Sequence, residues 1–309
     1  KRNYLNGYFR DQRFNPKPKA IKFMKIFLAK NAGYCFGVRD AVQLAYDTAQ
    51  DDGDVYMLGH IVHNENVVEK LDKAGAKVVE TLDQVPNGKP ILFRAHGTHV
   101  DTWKKAQEKN MNIIDATCPL VEEIHDEIKI LEKEGRKIII IGDHGHDEVI
   151  GIASQVKNAV IVANPDEANA LRKTKKAGVV SQSTQTIENV QEIINILMSK
   201  VFDLRFVNTI CFPTKRNQEQ IKELAEACDL MIVIGSFTSA NSKRLTQLAK
   251  ERNKLSFQVT CANDVDESWL ENVETVGISA GASTPDNIIN EVIDKIKLIT
   301  SVEKETIYE

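Results

Sequence analysis

The amino-acid sequence predicts an α/β protein built of three similar small lobes with mostly parallel sheets. Three observations carry that reading. A unit of strand, cysteine and helix occurs three times, at Cys35, Cys118 and Cys211, with spacings of 83 and 93 residues; each interval suits a small α/β lobe. Strand and helix patterns alternate almost throughout, which favours crossover connections and parallel pairing. The strongest strand candidates, such as Ile138-Ile139-Ile140-Ile141, are apolar at every position, as expected where a sheet is buried on both faces.

The unit is clearest around Asp115-Ala116-Thr117-Cys118-Pro119-Leu120-Val121. The apolar run from Met111 to Ala116 reads as a strand, and a helix starts directly after Cys118. Pro119 suits the first helical position, where its missing N–H is no loss. Glu122 and Glu123 favour the positive end of the helix dipole. Val121, Ile124, Ile128 and Leu131 recur at helical spacing, giving one apolar face, and Gly135 ends the helix. Cys118 is therefore expected at a strand-to-helix turn with its sulfur near a helix N-terminus, a position that favours thiolate. Lys25 to Leu28, Cys35 and a helix faced by Val38, Ala41, Val42, Ala45 and Ala49 repeat the pattern. So do Leu204 to Val207, Cys211 and a helix faced by Ile221, Leu224, Ala225 and Cys228.

The repeat extends past the cysteines. His63 follows Cys35 by 28 residues, His146 follows Cys118 by 28, and Asn241 follows Cys211 by 30. A later strand end in each lobe carries Arg94-Ala95-His96-Gly97, Ser181-Gln182-Ser183-Thr184 and Ser279-Ala280-Gly281-Ala282-Ser283. All these loops lie at strand carboxyl ends, where parallel α/β units hold ligands, so they are expected to converge on one centre. Further strands are read at Asp54 to Leu58, Ala76 to Val79, Pro90 to Phe93, Lys137 to Ile141, Ala159 to Val162, Gly178 to Val180, Leu230 to Ile234, Leu255 to Val259 and Thr275 to Ile278. Helices are read over 65–74 and 100–109, from Lys243, and from Pro285 to Ile299.

Composition narrows the class. The chain has 309 residues and a net charge of −4, and Lys1 to Phe23 carries seven Lys or Arg against the single acid Asp11. The remainder is therefore acidic, which argues against a nucleic-acid-binding surface. No run is long enough to span a membrane. The basic leader has no apolar core, so it is not a secretory signal, and it lacks Ser. Met24 resembles a natural start, and 1–23 is expected to be an extension outside the fold. Five cysteines without close pairs do not form a disulfide framework, and a reducing compartment is expected.

Three thiolates brought together imply a metal or a cluster. A structural zinc would take a fourth protein ligand. An iron–sulfur cluster held by three cysteines leaves one iron open as a Lewis acid. His63, His96 and His146, with Ser, Thr and Asn at equivalent loops, make a donor-rich pocket suited to phosphate oxygens. Cys228 and Cys261 read as ordinary packing residues, and His60, His99, His125 and His144 as satisfied loop residues. Gly277-Ile278-Ser279-Ala280-Gly281 matches a hydrolase elbow, but that fold needs a His after the Ser, and the last His in the chain is His146. His144-Gly145-His146-Asp147-Glu148 evokes a zinc hydrolase, which leaves the three cysteines unexplained.

At these residues the chain resembles the 4-hydroxy-3-methylbut-2-enyl diphosphate reductase family. The matching stretches are Gly33-Tyr34-Cys35-Phe36-Gly37-Val38, Val62-His63-Asn64, Ala95-His96-Gly97, Asp115 to Val121, and His146-Asp147-Glu148. Ser181 to Thr184, Ile210-Cys211, Ser239-Ala240-Asn241-Ser242 and Ala280 to Asp286 complete them. The resemblance implies a trefoil of three lobes around a 4Fe–4S cluster held by Cys35, Cys118 and Cys211. It implies that the substrate hydroxyl meets the open iron. The diphosphate would be gripped at His63, His96, Ser239, Asn241 and Ser283, with Thr184 and the Ala240 backbone completing the set. His146 would line the pocket, Glu148 would deliver a proton, and Ser183 would support Glu148. Two electrons and two protons then remove the hydroxyl as water, giving isopentenyl and dimethylallyl diphosphates. Ala240 stands where the family usually has Ser, Arg216-Asn217 reverses the usual order, and Phe212-Pro213 differs from the commoner Tyr-Ala.

The expected lobes are 24–117, 118–208 and 209–300, with 301–309 as a tail. The expected partners are a small diphosphate substrate and an electron-donor protein such as ferredoxin or flavodoxin, with no nucleic acid and no membrane. The expected location is the cytoplasm, or a plastid-type organelle if 1–23 is a transit remnant. The competing functions are a zinc-dependent hydrolase using the Cys/His centre and a non-enzymatic iron–sulfur carrier or sensor. A carrier needs no pocket of three His and Glu148.

Overall fold

The structure is a computed structural model that describes residues 24–300 and 306–308; the leader expected at 1–23 lies outside the described residues. The chain runs β1 (Lys25–Leu28), α1 (Phe36–Asp52), β2 (Val55–Leu58), α2 (Glu65–Lys73), β3 (Ala76–Val79), β4 (Pro90–Phe93), α3 (Val100–Glu108) and β5 (Asn112–Asp115). It continues through α4 (Pro119–Lys133), β6 (Lys137–Ile141), α5 (Asp147–Ala153), β7 (Ala159–Val162), α6 (Pro165–Ala170), β8 (Thr174–Ser181), α7 (Ile187–Met198) and β9 (Val201–Phe206). Last come α8 (Phe212–Ala227), β10 (Leu230–Ile234), α9 (Ala240–Arg252), β11 (Ser256–Val259), β12 (Thr275–Ala280), α10 (Asp286–Thr300) and β13 (Thr306–Tyr308).

Three parallel sheets result, ordered β3-β2-β4-β5, β7-β6-β8-β9 and β11-β10-β12-β1-β13. Continuous apolar strands are buried on both faces, as their composition demands. In β6, Ile138 and Ile140 pack into one core with Ile124, Ile128 and Leu131 of α4, while Ile139 and Ile141 pack into another with Val190, Ile193 and Leu197 of α7. In β10, Leu230, Ile232 and Ile234 face the α10 side, and Met231 and Val233 face α8 and α9.

The order of the sheets corrects one expectation. The strand leading into each cysteine closes the sheet of the preceding lobe: β5 pairs with β4 before Cys118, and β9 with β8 before Cys211. By the same rule β1, which leads into Cys35, pairs with β12 in the third sheet, Lys25 opposite Thr275 through Leu28 opposite Ile278. The lobe expected over 24–117 thus gives its first strand to the third, because the apolar side chain of Ile26 completes the core formed by Val276, Ile278 and α10. The expected tail also holds a strand, β13, which pairs with β1. The three lobes are joined in a ring, and each cysteine sits where one lobe passes into the next.

Candidate active site

Cys35, Cys118 and Cys211 are the N-cap residues of α1, α4 and α8, all in extended backbone geometry and none capping through its side chain. Each is held by the same bond. The amide N–H of Cys35 donates to the Ala282 carbonyl at 3.2 Å, that of Cys118 to Ala95 at 3.0 Å, and that of Cys211 to Ser183 at 3.0 Å. These acceptors are the three loops that the sequence repeat aligned. Gly37 is required by a close approach: a Cβ there would lie 2.4 Å from the Cys118 Sγ. A sulfur from the second lobe thus rests against the backbone of the first.

The helix N-termini do not by themselves produce thiolates. Burial pushes the Cys118 and Cys211 thiols up to about 11 and raises Cys35 as well, outweighing the backbone N–H groups of Gly37 and Val38, of Leu120 and Val121, and of Thr214 that point at the sulfurs. The physical reason is desolvation of the charged form. Among the described residues, no three His, Cys, Asp or Glu side chains gather tightly enough to chelate a single ion.

Beside the thiols stand three imidazoles. His63 and His96 have ring centroids 4.5 Å apart, with His146 at 5.5 Å from His63 and 5.8 Å from His96. Burial lowers all three below the ordinary imidazole value, His96 well below it and His146 to about 4, so the rings are neutral at pH 7. They line a cavity of about 70 Å³ with Thr184, Ser239, Ala240, Asn241 and Ser283. Three buried nitrogens there have no hydrogen-bond partner: His63 Nε2, which stands 3.9 Å from Asp147 Oδ2, His96 Nδ1 and Asn241 Nδ2. Orphaned buried polar atoms are rare, and here they meet at one place. Ser239 caps α9 by accepting from the Ser242 N–H, and Ser283 Oγ donates to the His63 carbonyl at 3.1 Å, across the junction of the third and first lobes.

Glu148 is 1% exposed. Its carboxylate accepts from the Ser183 N–H at 2.5 Å and the Ser183 hydroxyl at 2.8 Å. Burial raises its pKa above the ordinary carboxyl value, and Ser183 offsets only part of that rise. Its charge acts on both Cys118 and Cys211, raising their pKa values, so the acid lies within electrostatic range of the thiols as well as two residues from His146.

Sequence reasoning missed a set of polar bridges around this centre. Arg94 Nη1 binds Asp147 Oδ2 at 2.6 Å, tying the first lobe to the second. Arg244 Nη2 binds both Asp143 oxygens at 2.7 Å while its Nη1 donates to the Thr184 carbonyl and hydroxyl at 3.1 Å, tying the third to the second. Glu65 accepts from Ser236 and Thr238 at 2.8 and 3.0 Å, tying the first to the third. Asp143, Asp147, Lys243 and Arg244 line a cavity of about 460 Å³ that shares His63, His146 and Ala240 with the smaller one. Charged residues in the aligned loops were the available signal, but their pairing across lobes depends on the ring closure. The elbow motif is structural: Ser279 is 1% exposed inside β12, and a Cβ at Gly281 would lie 2.1 Å from Ser242 Oγ.

Fold and site define a three-lobed α/β enzyme in which thiols, imidazoles and a buried acid from different lobes share one centre. The chain belongs to the LytB protein family, whose model matches residues 26–297. It is 40% identical over 277 residues to the 4-hydroxy-3-methylbut-2-enyl diphosphate reductase of Geobacter sp. strain M21, covering 89% of this chain and 98% of that one. Identity to the Geotalea daltonii enzyme of the same name is 41% over 277 residues, with the same coverage. Among solved structures, the E-1-hydroxy-2-methyl-but-2-enyl-4-diphosphate reductase of Plasmodium falciparum superposes with a TM-score of 0.86 at 30% identity, covering 89% of this chain and 88% of that one. A second, described as the terminal enzyme of the non-mevalonate pathway, gives 0.67 at 34% identity, covering 89% and 99%. The chain is an oxidoreductase of this kind.

Proposed function

We propose that this protein reduces 4-hydroxy-3-methylbut-2-enyl diphosphate to isopentenyl and dimethylallyl diphosphates. The observation that carries the reading is the convergence of three unpartnered buried nitrogens, on His63, His96 and Asn241, at one cavity beside three thiols and a buried acid. The chain's relatives carry that activity in their names.

The thiols fit an iron–sulfur cluster. Cys35, Cys118 and Cys211 would hold it: burial keeps them neutral unless a cation compensates, and iron deprotonates a coordinating thiol outright. Gly37 leaves the Cys118 sulfur room, and backbone N–H groups face each sulfur, as tuning of such a cluster requires. When bound, a 4Fe–4S cluster with three protein ligands supplies electrons and a Lewis-acidic iron.

The remaining chemistry belongs to the side chains. His63 Nε2, His96 Nδ1 and Asn241 Nδ2 would bind diphosphate oxygens, each imidazole in the tautomer that donates there. Ser239, Ser283, Thr184 and the backbone N–H groups at the α9 N-terminus would add further donors. The cavity of about 70 Å³ is smaller than ordinary ligand pockets of roughly 300–1,000 Å³, so the lobes separate to admit substrate and the bridges re-form over it, excluding water. Glu148, held by Ser183, would protonate the departing hydroxyl; its raised pKa keeps more of it in the acid form. His146 would orient the substrate beside it. One proton leaves with the hydroxyl as water and a second reaches carbon, matching two electrons.

Anaerobically purified protein, supplied with this diphosphate and dithionite-reduced methyl viologen, is expected to form both products. Intact substrate after prolonged incubation with iron-loaded protein would show that the reading is wrong.

A further inference from the structure

The three cysteine turns share one frame but not one set of hydrogen-bond donors. Each cysteine is the N-cap residue of its helix, so the residues two and three places further on are equivalent in all three turns. They are Gly37 and Val38, Leu120 and Val121, and Pro213 and Thr214. In the first two turns both backbone N–H groups point at the sulfur. In the third only the Thr214 N–H does, because proline has no N–H to give. A hydroxyl stands there instead: the Cys211 thiol donates to Thr214 Oγ1 at 3.0 Å.

Packing does not require that hydroxyl. Thr214 is 3% exposed, and the equivalent Val121 of α4, alike in shape, is 4% exposed. A buried hydroxyl costs free energy unless it is hydrogen-bonded, and a threonine within a helix ordinarily bonds a carbonyl three or four residues back. Among the described residues, the Cys211 sulfur is the one hydrogen-bond partner of Thr214 Oγ1. Proline is tolerated in a first helical turn because N–H groups there have no partner within the helix. At the place of Pro213, however, α1 and α4 aim that N–H at a sulfur.

We propose that Pro213 and Thr214 set the electron density on the Cys211 sulfur and, through it, the reduction potential of the cluster. The proline withholds an N–H that the other two sulfurs receive, and the threonine hydroxyl supplies a donor that they lack. The inference rests on the reading of Cys35, Cys118 and Cys211 as cluster ligands. A sulfur bound to iron carries no proton. The hydroxyl, which accepts from the free thiol, therefore donates to the ligated sulfur, its O–H serving in either direction. Hydrogen bonds to ligand sulfurs help to set the potential, and a donor favours the more negative, reduced cluster. The step tuned is the gain of one electron by the cluster. Thr214 is thereby a positioning residue that acts through Cys211.

A redox titration of the iron-loaded protein tests this, with dithionite as reductant and the paramagnetic resonance of the reduced cluster as readout, after iron and sulfide per chain have been measured. Thr214→Val makes the third turn resemble the other two. It is expected to keep its cluster and to titrate at lower potential, by about a tenfold change in the reduced-to-oxidised ratio at fixed potential, or about 59 mV for one electron. Thr214→Ser keeps the hydroxyl and is expected to titrate with the wild type. Pro213→Ala restores an N–H and is expected to shift the potential upward, and the double variant to return toward the wild-type value. Opposite signs separate a donor effect from a loosened α8. Equal potentials in the loaded wild type, Thr214→Val and Pro213→Ala overturn the proposal, as does a shift of the same sign in both single variants. If Thr214→Val loads no iron, Pro213→Ala decides: an upward shift supports the proposal and an unchanged potential overturns it. A wild type that takes up no iron and sulfide contradicts the cluster reading itself, and this proposal falls with it.

Discussion

At the residue scale, the centre depends on buried polar groups gathered from different lobes. Glu148 is buried with its pKa raised, two residues from His146 and within electrostatic range of two thiols. Glu148→Gln keeps the shape and can still accept from Ser183, but it has no proton to give. Turnover is expected to fall at least ~100-fold with iron content unchanged; a near-normal rate would move the acid role to His146 or to water. Gly37→Ala tests the seat of the second sulfur. The added methyl needs the 2.4 Å occupied by Cys118 Sγ, and since that sulfur sits on a turn fixed by the Ala95 carbonyl, the variant is expected to fold and lose most of its iron. Retention of wild-type iron would show that the turn yields freely. The positions that the structure gathers at one cavity, His63, His96, His146, Thr184, Ser239, Asn241 and Ser283, were legible because imidazoles, hydroxyls and an amide at equivalent strand ends suggest a common polar pocket. Arg94, Asp143 and Arg244 were not, because their significance lies only in whom they meet, and a charge in a loop reads as solvated until its partner is known.

At the element scale, the same division holds. Long periodic segments such as α1, α4 and α8 were legible from their apolar faces, and β6 and β10 from their unbroken apolar runs. Helices α5 and α6, of seven and six residues, are too short to display a helical period. The partner of β1 was hidden for a different reason: a four-residue strand carries no signal of which sheet it joins, and its mate β12 lies some 250 residues away. The bridge from α9 is the element most exposed to test. Arg244→Ala removes a two-pronged bond to Asp143 and two bonds to Thr184, hydrogen bonds to charged groups being worth about 1.5–3 kcal/mol each at most. Because Asp143 is partly exposed, solvent screening discounts that figure, and a net loss of about 1–2 kcal/mol is expected in chemical denaturation. The Michaelis constant for the diphosphate is expected to rise as the third lobe closes less completely; an unchanged constant would separate the bridge from closure.

At the scale of the whole molecule, the packed lobes partly bury several imidazoles, and this ties stability to pH. Burial takes His125 and His146 down to about 4 and lowers His96 well below its ordinary value, whereas unfolded imidazoles titrate near 6.5. Below about 6.5 the unfolded chain binds more protons, so the stabilisation present at higher pH is lost progressively as pH falls toward about 4. Glu148 acts in the opposite direction: its raised pKa contributes stability below the unfolded carboxyl value that is lost as pH rises through the folded one. Denaturant midpoints are therefore expected to fall between pH 7 and pH 5, and His125→Gln, away from the thiols, to flatten that fall relative to the wild type. Equal slopes would show that His125 is protonated without cost.

The central claim is that three cysteines at three lobe junctions make one centre. Iron and acid-labile sulfide, measured per chain after anaerobic reconstitution in the wild type and in Cys118→Ser, test it most directly. The account predicts iron and sulfide in equal amounts approaching 4Fe–4S in the wild type, and loss of most of both in Cys118→Ser. A full complement retained in Cys118→Ser, or a wild type that takes up zinc and no sulfide, would contradict it.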